Sequence, residues 1–118
     1  MASIGLDLVE IERFSLWHLK TNTQLLRIFS QQEINYCLLV PCKSAERFAA
    51  RFAVKEAFYK AVTPLIIHKK PFLVFCKNTE FVQCLQVNWQ ALELPEYSTT
   101  ASITHSRTTA AAVVIIEI

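Results

Sequence analysis

The first stretch of the chain alternates in the way a β-strand does. Over residues 3–11, successive side chains would point to opposite sides, and apolar residues occur on both sides. One side would carry Gly5, Asp7, Val9 and Ile11, and the other Ile4, Leu6, Leu8 and Glu10. Because both faces are mostly apolar, the pattern predicts a largely covered strand at the start of the fold.

After this strand, the spacing of the apolar residues is typical of a helix. Apolar residues recur at helical intervals over residues 12–29, and the polar triplet 21–23 predicts a division into two short helices. Ser30 is followed three residues later by Glu33, a capping-box pattern that predicts a helix starting at Gln31 and ended by Pro41.

The longest predicted helix covers residues 45–62. Ser44 is a candidate N-cap, because a serine hydroxyl can accept a hydrogen bond from the free N–H groups of the first turn. Pro64 would stop the helix, since proline removes a backbone donor and clashes with the preceding turn. We therefore expect one long helix in the middle of the chain.

Two strand-like runs come next. Residues 72–76 and 81–89 are rich in aromatic and β-branched side chains, and a turn is expected near residues 78–79. These features predict two short strands.

A hairpin closes the chain, with strands at 99–105 and 109–118 around a turn at 106–107. The order strand, helices, strands predicts an α+β fold with a small antiparallel sheet packed on the long central helix. A length of 118 residues predicts a single domain spanning residues 1–118.

The segment RFAVKEAFYKA, residues 51–61, places a carboxylate inside the apolar stripe of the longest helix. In helical projection Glu56 falls between Ala49 and Phe52. An ionised carboxylate in apolar surroundings is costly unless it is paired or binds a metal ion. One interpretation is therefore an i,i+4 ion pair with Lys60, and the other is a ligand site.

A second carboxylate, Asp7, lies within the predicted first strand, where aspartate is uncommon. It is either a strand-end aspartate that faces water or part of a site shared with Glu56, because the helix should pack against this strand. Two carboxylates would suit Mg²⁺, which keeps waters and takes phosphate oxygens as its other ligands. Lys60, Arg51 and Lys55 would then supply positive charge for the phosphates.

A further candidate is His105, which shares a strand face with Ala101 and Ile103 just before the hairpin turn. It is either structural or a hydrogen-bond partner for a phosphate or a ribose hydroxyl. The single glycine, Gly5, excludes glycine-rich phosphate loops. Any phosphate must therefore be held by side chains, a metal ion or a helix N-terminus.

Composition limits the classes of function. Hydrophobic residues make up 53% of the chain, which indicates either an oligomer or a dense core. A net charge of +2 gives no case for nucleic-acid binding, and no apolar run is long enough to span a membrane. The N-terminus lacks the basic region of a secretory signal. The four cysteines have no metal-site spacing, so we expect reduced thiols in a cytoplasmic protein.

Three segments together resemble one enzyme family. They are IGLDLVEIERF (residues 4–14), RFAVKEAFYKA (51–61) and ASITHSRTTAAAVVIIE (101–117). Their order and spacing are similar to those of the holo-[acyl-carrier-protein] synthases of the 4'-phosphopantetheinyl transferase superfamily. IFSQQEINYC, residues 28–37, resembles a weaker block of the same family. The resemblance covers nearly the whole chain.

This resemblance implies an activity. The 4'-phosphopantetheine arm of coenzyme A would be transferred to a serine of acyl carrier protein in fatty acid biosynthesis, releasing adenosine 3',5'-bisphosphate. By the family's pattern, Asp7 and Glu56 would bind Mg²⁺ and act in catalysis together with Lys60. The same pattern implies that Lys60, Arg51 and His105 contact the nucleotide's phosphates. It further implies a homotrimer with active sites between neighbouring subunits.

Acyl carrier proteins are acidic, so a basic docking surface is expected. Arg13, Lys20 and Arg27 recur seven residues apart and would lie near one face of the first helical region. They are either the partner-binding residues or ordinary solvated charges.

The chain departs from the family's pattern at three places. Leu6 stands where the family has threonine, AVTPL (residues 61–65) replaces a G-T-G-like turn, and NTE (78–80) replaces a G-K-P turn. The missing glycines affect backbone contacts to phosphate. Two alternatives to the enzyme therefore stay open. One is a non-catalytic homologue that binds acyl carrier protein with a degenerate coenzyme A loop, and the other is an unrelated small α+β oligomer.

Overall fold

The computed structural model describes residues 1–118, and its strands form two antiparallel sheets. The five strands are β1 (Ala2–Glu10), β2 (Thr79–Phe81), β3 (Leu85–Val87), β4 (Ser98–His105) and β5 (Thr109–Glu117). The larger sheet has the order β1-β5-β4, and β2 pairs with β3 in a separate ribbon. Because β5 lies in the centre, both ends of the chain contribute to one sheet.

A long helix lies across the larger sheet. The α-helices are α1 (Asn22–Leu25), α2 (Gln31–Leu39), α3 (Ser44–Val62) and α4 (Phe72–Lys77). Short 3-10 helices cover Ile11–Phe14, Trp17–Leu19, Pro41–Lys43 and Thr63–Leu65. The 19 residues of α3 pack on β1 and β5, which is the predicted α+β arrangement. None of these helices combines the length and apolar character that crossing a membrane requires.

The interface between α3 and the sheet is built from small and branched side chains. All four inward-facing residues of β5 are buried, namely Ala110, Ala112, Val114 and Ile116. On the helix, Ala53, Ala57 and Ala61 are fully buried. Such small side chains let the helix axis lie close to the strands, so backbone and side chains of β1 reach α3 directly.

The opposite face of the sheet is uncovered. On β1 the outward-facing residues Ile4, Leu6 and Leu8 are 63%, 59% and 66% exposed. They pair across the sheet with Ile115, Val113 and Ala111 of β5. The result is a continuous apolar surface on the side away from α3, which is unusual for a protein that remains a monomer.

Several predicted elements are confirmed. β1, the start of α2 and the final hairpin all lie where the sequence placed them. The capping box is formed: Ser30 Oγ accepts a hydrogen bond from the Glu33 N–H at 3.1 Å, and Glu33 Oε1 accepts one from the Ser30 N–H at 2.8 Å. These features depend on neighbours within a few residues, which explains their predictability.

The predicted N-cap role of Ser44 is wrong. Ser44 lies inside α3, and its buried hydroxyl has no hydrogen-bond partner. The 3-10 helix Pro41–Lys43 runs directly into α3, and the Ser44 N–H donates to the carbonyl oxygen of Pro41. Because the chain is already helical before Ser44, a backbone carbonyl oxygen takes the place of a side-chain cap at the start of α3.

The strand predicted at 72–76 is also wrong, because these residues form α4. Phe72 packs edge-on against Phe52 and Tyr59 of α3, and Phe75 packs against Tyr59 in the same way. Helical spacing puts positions 72 and 75 on one face. Packing against α3 therefore overrides the strand preference of the apolar run.

Two further boundaries differ from the prediction. Residues 81–89 contain only β3 and the end of β2, and not one continuous strand. The region 12–29 forms 3-10 turns and the four-residue α1 in place of two helices. Segments this short gain too little from their own hydrogen bonds, so their conformation follows from packing.

Candidate functional site

Asp7, Glu56 and Lys60 lie near one another where β1 crosses α3. A Cβ atom at Gly5 would overlap the backbone carbonyl of Ala57 and press on the amide nitrogen of Ala61, so only glycine permits this close approach. Ser3 Oγ donates a hydrogen bond to the Ala61 carbonyl oxygen. Since side chains two residues apart share a strand face, Asp7 also faces α3.

The Asp7 carboxylate is only partly satisfied. Lys60 Nζ donates to Asp7 Oδ1 at 2.9 Å and to the Leu6 carbonyl oxygen at 3.0 Å. The Asp7 side chain is 13% exposed and that of Lys60 is 51% exposed. The other oxygen, Asp7 Oδ2, is buried and has no hydrogen-bond partner. A buried acceptor left in this state costs free energy unless a ligand satisfies it.

Glu56 lies one helical turn before Lys60 and close enough to Asp7 to be affected by its charge. Burial raises the pKa of Glu56 above its usual value and the negative charge of Asp7 raises it further, while Lys60 and Arg13 oppose these effects. The alternative of an ion pair between Glu56 and Lys60 is not what forms, because Lys60 binds Asp7.

Together, the two carboxylates fit a hard divalent cation. Asp7 Oδ2 has no partner and Glu56 takes part in no ion pair. Carboxylate oxygens are the ligands that Mg²⁺ prefers. No group of three or more potential ligand side chains occurs in the structure, so a cation here would have two protein carboxylates and take its other ligands from water or substrate.

Lys55 does not belong to this site, and its predicted role in phosphate binding is wrong. It is buried and forms a 3.0 Å ion pair with Glu33 Oε1. Its ammonium also donates to the carbonyl oxygens of Cys76 and Thr79 at 3.0 and 2.7 Å. Successive helix residues point about 100° apart, which is why Lys55 and the adjacent Glu56 face different parts of the protein.

The sequence prediction missed this buried pair. Glu33 accepts hydrogen bonds from the Ser30 and Phe81 N–H groups in addition to the ion pair with Lys55. The capping-box pattern correctly identified Glu33 as a cap but gave no indication that the same carboxylate is buried. Lys55 gave no sign of this pairing in the sequence, because Arg51, one helical turn before it, is also basic.

Arg51 lies on the same side of α3 as Lys55. It is 4% exposed, and it donates to the carbonyl oxygens of Phe81 at 3.2 Å and Val82 at 2.9 Å. The guanidinium therefore holds the turn between β2 and β3 against the helix. Its predicted contact with a nucleotide phosphate stays a prediction, and the structure gives this side chain an internal role.

His105 lies near the other end of α3. Its Nε2 is 3.6 Å from Oε1 of Glu46, and its Nδ1 is 3.1 Å from the Ser106 carbonyl oxygen. Glu46 precedes Glu56 by ten residues, which corresponds to about 15 Å along a helix. A single chain therefore does not bring His105 together with Asp7 and Glu56.

The expected common face for Arg13, Lys20 and Arg27 is wrong, because this region is not a continuous helix. Arg13 and Lys20 line one surface pocket together with the exposed residues Leu16 and Leu19. Arg27 does not line this pocket. The role of the three basic residues in partner binding stays a prediction.

Comparison with known proteins decides the family. Residues 3–114 match the family model described as the 4'-phosphopantetheinyl transferase superfamily. The chain is 41% identical to the holo-[acyl-carrier-protein] synthase of Treponema denticola, over 97% of the chain and 96% of that protein. It is 39% identical to the holo-[acyl-carrier-protein] synthase of Treponema pallidum, over 97% and 94%. The chain belongs to the holo-[acyl-carrier-protein] synthase family.

Solved structures of the family agree with this assignment. The Helicobacter pylori holo-[acyl-carrier-protein] synthase in complex with coenzyme A is 26% identical, with a TM-score of 0.73 over 97% of this chain and 99% of that one. The Chronobacterium ammoniagenes complex with coenzyme A is 24% identical, with a TM-score of 0.80 over 99% and 97%, and supports the fold alone. The family and fold class predicted from the sequence are confirmed.

Proposed function

We propose that this protein transfers the 4'-phosphopantetheine moiety of coenzyme A to a serine of acyl carrier protein and releases adenosine 3',5'-bisphosphate. The proposal draws on relatives of this family that align over nearly their full length. At the level of residues it depends on one observation. Asp7, Glu56 and Lys60 meet where β1 crosses α3, with a carboxylate oxygen of Asp7 left unsatisfied.

Mg²⁺ is the cofactor that we propose for Asp7 and Glu56. When bound, the ion would neutralise negative charge that develops on the diphosphate of coenzyme A. The orphaned Oδ2 of Asp7 and the raised pKa of Glu56 support this role, since a cation would satisfy the oxygen and offset both the burial of Glu56 and the charge of Asp7 beside it. No other pair of carboxylates in the chain shares these features.

Lys60 is the residue that we propose to bind a phosphate of the substrate. Its side chain is long, flexible and 51% exposed. The carrier serine would give its hydroxyl proton to a nearby carboxylate or water, and its oxygen would attack the phosphorus that bears the pantetheine arm. The bond from that phosphorus to the bridging diphosphate oxygen would break. Lys60 would offset the charge that grows on the departing nucleotide phosphate.

A homotrimer would complete the site. Within one chain His105 contacts Glu46, about 15 Å from Glu56 along α3, so we propose that His105 reaches the nucleotide from a neighbouring subunit. The apolar sheet face around Ile4, Leu6 and Leu8 offers the surface for such an assembly. We propose that this face is buried by neighbouring subunits and that each site uses residues of two chains.

The acidic carrier protein is proposed to dock at the pocket lined by Arg13 and Lys20. Leu16 and Leu19 are 65% and 70% exposed there, so the surface combines positive charge with apolar area. Charge would steer the carrier to this surface and the leucines would hold it. The cytoplasm is the proposed location, and the four cysteines, all free thiols, agree with a reducing compartment.

A transfer assay tests the proposal. The protein is incubated with apo-acyl carrier protein, coenzyme A and Mg²⁺, and the carrier is examined by mass spectrometry for the added phosphopantetheine group. Asp7→Asn and Glu56→Gln should each lower transfer by more than the roughly 10- to 100-fold that loss of a supporting group costs at metal sites. Both variants should keep the wild-type circular dichroism spectrum.

Glu96→Gln, at an exposed residue of the segment between β3 and β4, is the matched control for loss of one carboxylate and should transfer normally. Carrier binding without modification would instead identify a non-catalytic homologue. Full activity of Asp7→Asn or Glu56→Gln would remove that residue from the proposed metal site.

A further inference from the structure

Lys60 engages the carboxylate that the proposed cation needs. Its Nζ is 2.9 Å from Asp7 Oδ1, while Asp7 Oδ2 has no partner. Glu56, one turn earlier on α3, forms no ion pair with Lys60 or any other residue. The Lys60 ammonium is thus the only cation in direct contact with this pair of acids, and it contacts Asp7 alone.

We propose that Lys60 is a placeholder for the divalent cation, holding Asp7 Oδ1 in the metal-free protein and leaving it when the cation binds. This inference rests on the proposed metal site. A metal ion and an ammonium on the same carboxylate repel each other, and the metal ion carries the larger charge. Partly exposed ion pairs are weak, so Lys60 can be displaced into solvent at little cost.

Displacement of Lys60 would also link cation binding to phosphate binding. Before the cation arrives, the ammonium is engaged by Asp7 and Leu6, and two acids repel an approaching phosphate. After displacement, the half-exposed ammonium is free beside a site that now carries positive charge. The cation therefore favours the diphosphate through Lys60 as well as directly, and the two ligands bind with positive coupling.

Lysine labelling measures the displacement directly. The intact protein is briefly acetylated at constant pH with and without Mg²⁺, and the modification of each lysine is followed by mass spectrometry. The labelling rate of Lys60 should rise by about two- to fivefold with Mg²⁺, in line with release from a partly exposed ion pair. Lys70, which is paired with Glu93 at 3.1 Å, should be unchanged and serves as control. An unchanged or lower rate at Lys60 would overturn the proposal.

Equilibrium binding of Mn²⁺, followed by electron paramagnetic resonance, separates this idea from the proposed function. Lys60→Met should bind Mn²⁺ about fivefold more tightly than wild type, because no ammonium competes for Asp7. Arg13→Gln removes a charge that also acts on Glu56 but makes no ion pair with it. This control should change the affinity by less than about twofold.

Asp7→Asn identifies which idea has failed. If it binds Mn²⁺ as wild type does, the proposed metal site is wrong and the placeholder role with it. If it loses binding, but Lys60→Met gains no more than Arg13→Gln, the metal site stands and the placeholder role alone is wrong.

Discussion

At the scale of single residues, Glu56 is held in a setting that favours its neutral form. Burial and the charge of Asp7 raise its pKa above that of an unfolded chain. The folded protein therefore binds this proton more tightly than the unfolded protein does. The resulting contribution to stability is complete below the usual glutamate range and is lost as the pH rises through the raised pKa.

Glu56→Gln should therefore make the metal-free protein more stable than wild type at neutral pH. The difference should vanish towards about pH 4, where Glu56 is protonated and resembles the amide. Thermal unfolding of both proteins in the presence of a chelator, from about pH 4 to about pH 8, measures this trend. A glutamine variant that is less stable than wild type at neutral pH would contradict it. Glu96→Gln, at an exposed residue that forms no ion pair, controls for the loss of one charge.

Some side chains of the site could be predicted from the sequence and others could not. Asp7 and Glu56 stood out because a carboxylate in an apolar pattern is visible locally. Arg51 and Lys55 were predicted only as positive charge for the phosphates, since a helical projection shows the direction of a side chain but not what lies opposite it. In the structure they bind backbone carbonyls and Glu33, all more than 20 positions away from them along the chain. No local pattern in the sequence records such contacts.

At the scale of secondary-structure elements, contacts on two sides hold α3 in place. Towards the sheet, its alanines and Gly5 allow close packing. Away from it, Lys55 bonds to Glu33 of α2, to Cys76 of α4 and to Thr79 of β2. Lys55 therefore holds three elements against one turn of the helix that also carries Glu56.

Replacing Lys55 by methionine should cost about 3–5 kcal/mol of unfolding free energy, because Glu33 would be left buried without its cation. Urea unfolding measures this loss. The double variant Lys55→Met with Glu33→Gln should recover part of it, since no unpaired charge remains. Lys77→Met, at an exposed lysine of α4, is the control and should change stability by less than about 0.5 kcal/mol. If Lys55→Met lost no more stability than Lys77→Met, the pair would not stabilise the fold.

At the scale of the whole molecule, the main unexplained feature of one chain is its uncovered sheet face. Ile4, Leu6 and Leu8 are all more than half exposed on one strand, next to further apolar residues of β5. Burial of such a surface contributes about 25 cal/mol for each Å² of apolar area removed from water. Burial of this face in the proposed assembly would therefore be favourable.

Leu6→Lys should disrupt the proposed trimer while leaving the fold of each chain intact. Sedimentation equilibrium should report a trimer for wild type and a smaller species for the variant, with unchanged circular dichroism. Leu39→Lys places the same charge on a leucine of α2 that is 72% exposed, and should remain assembled. Wild-type protein that sediments as a monomer would show that the sheet face does not drive assembly.

The family, the first strand, the capping box, the final hairpin and the two candidate carboxylates could all be predicted from the amino-acid sequence. Each of these depends on residues close together in the chain or on motifs in a fixed order. Tertiary structure decided that Lys60 binds Asp7, that Lys55 is buried with Glu33, and that residues 72–77 form a helix. Those outcomes depend on which distant segments meet, because burial and pairing are properties of the folded surroundings and not of the local pattern.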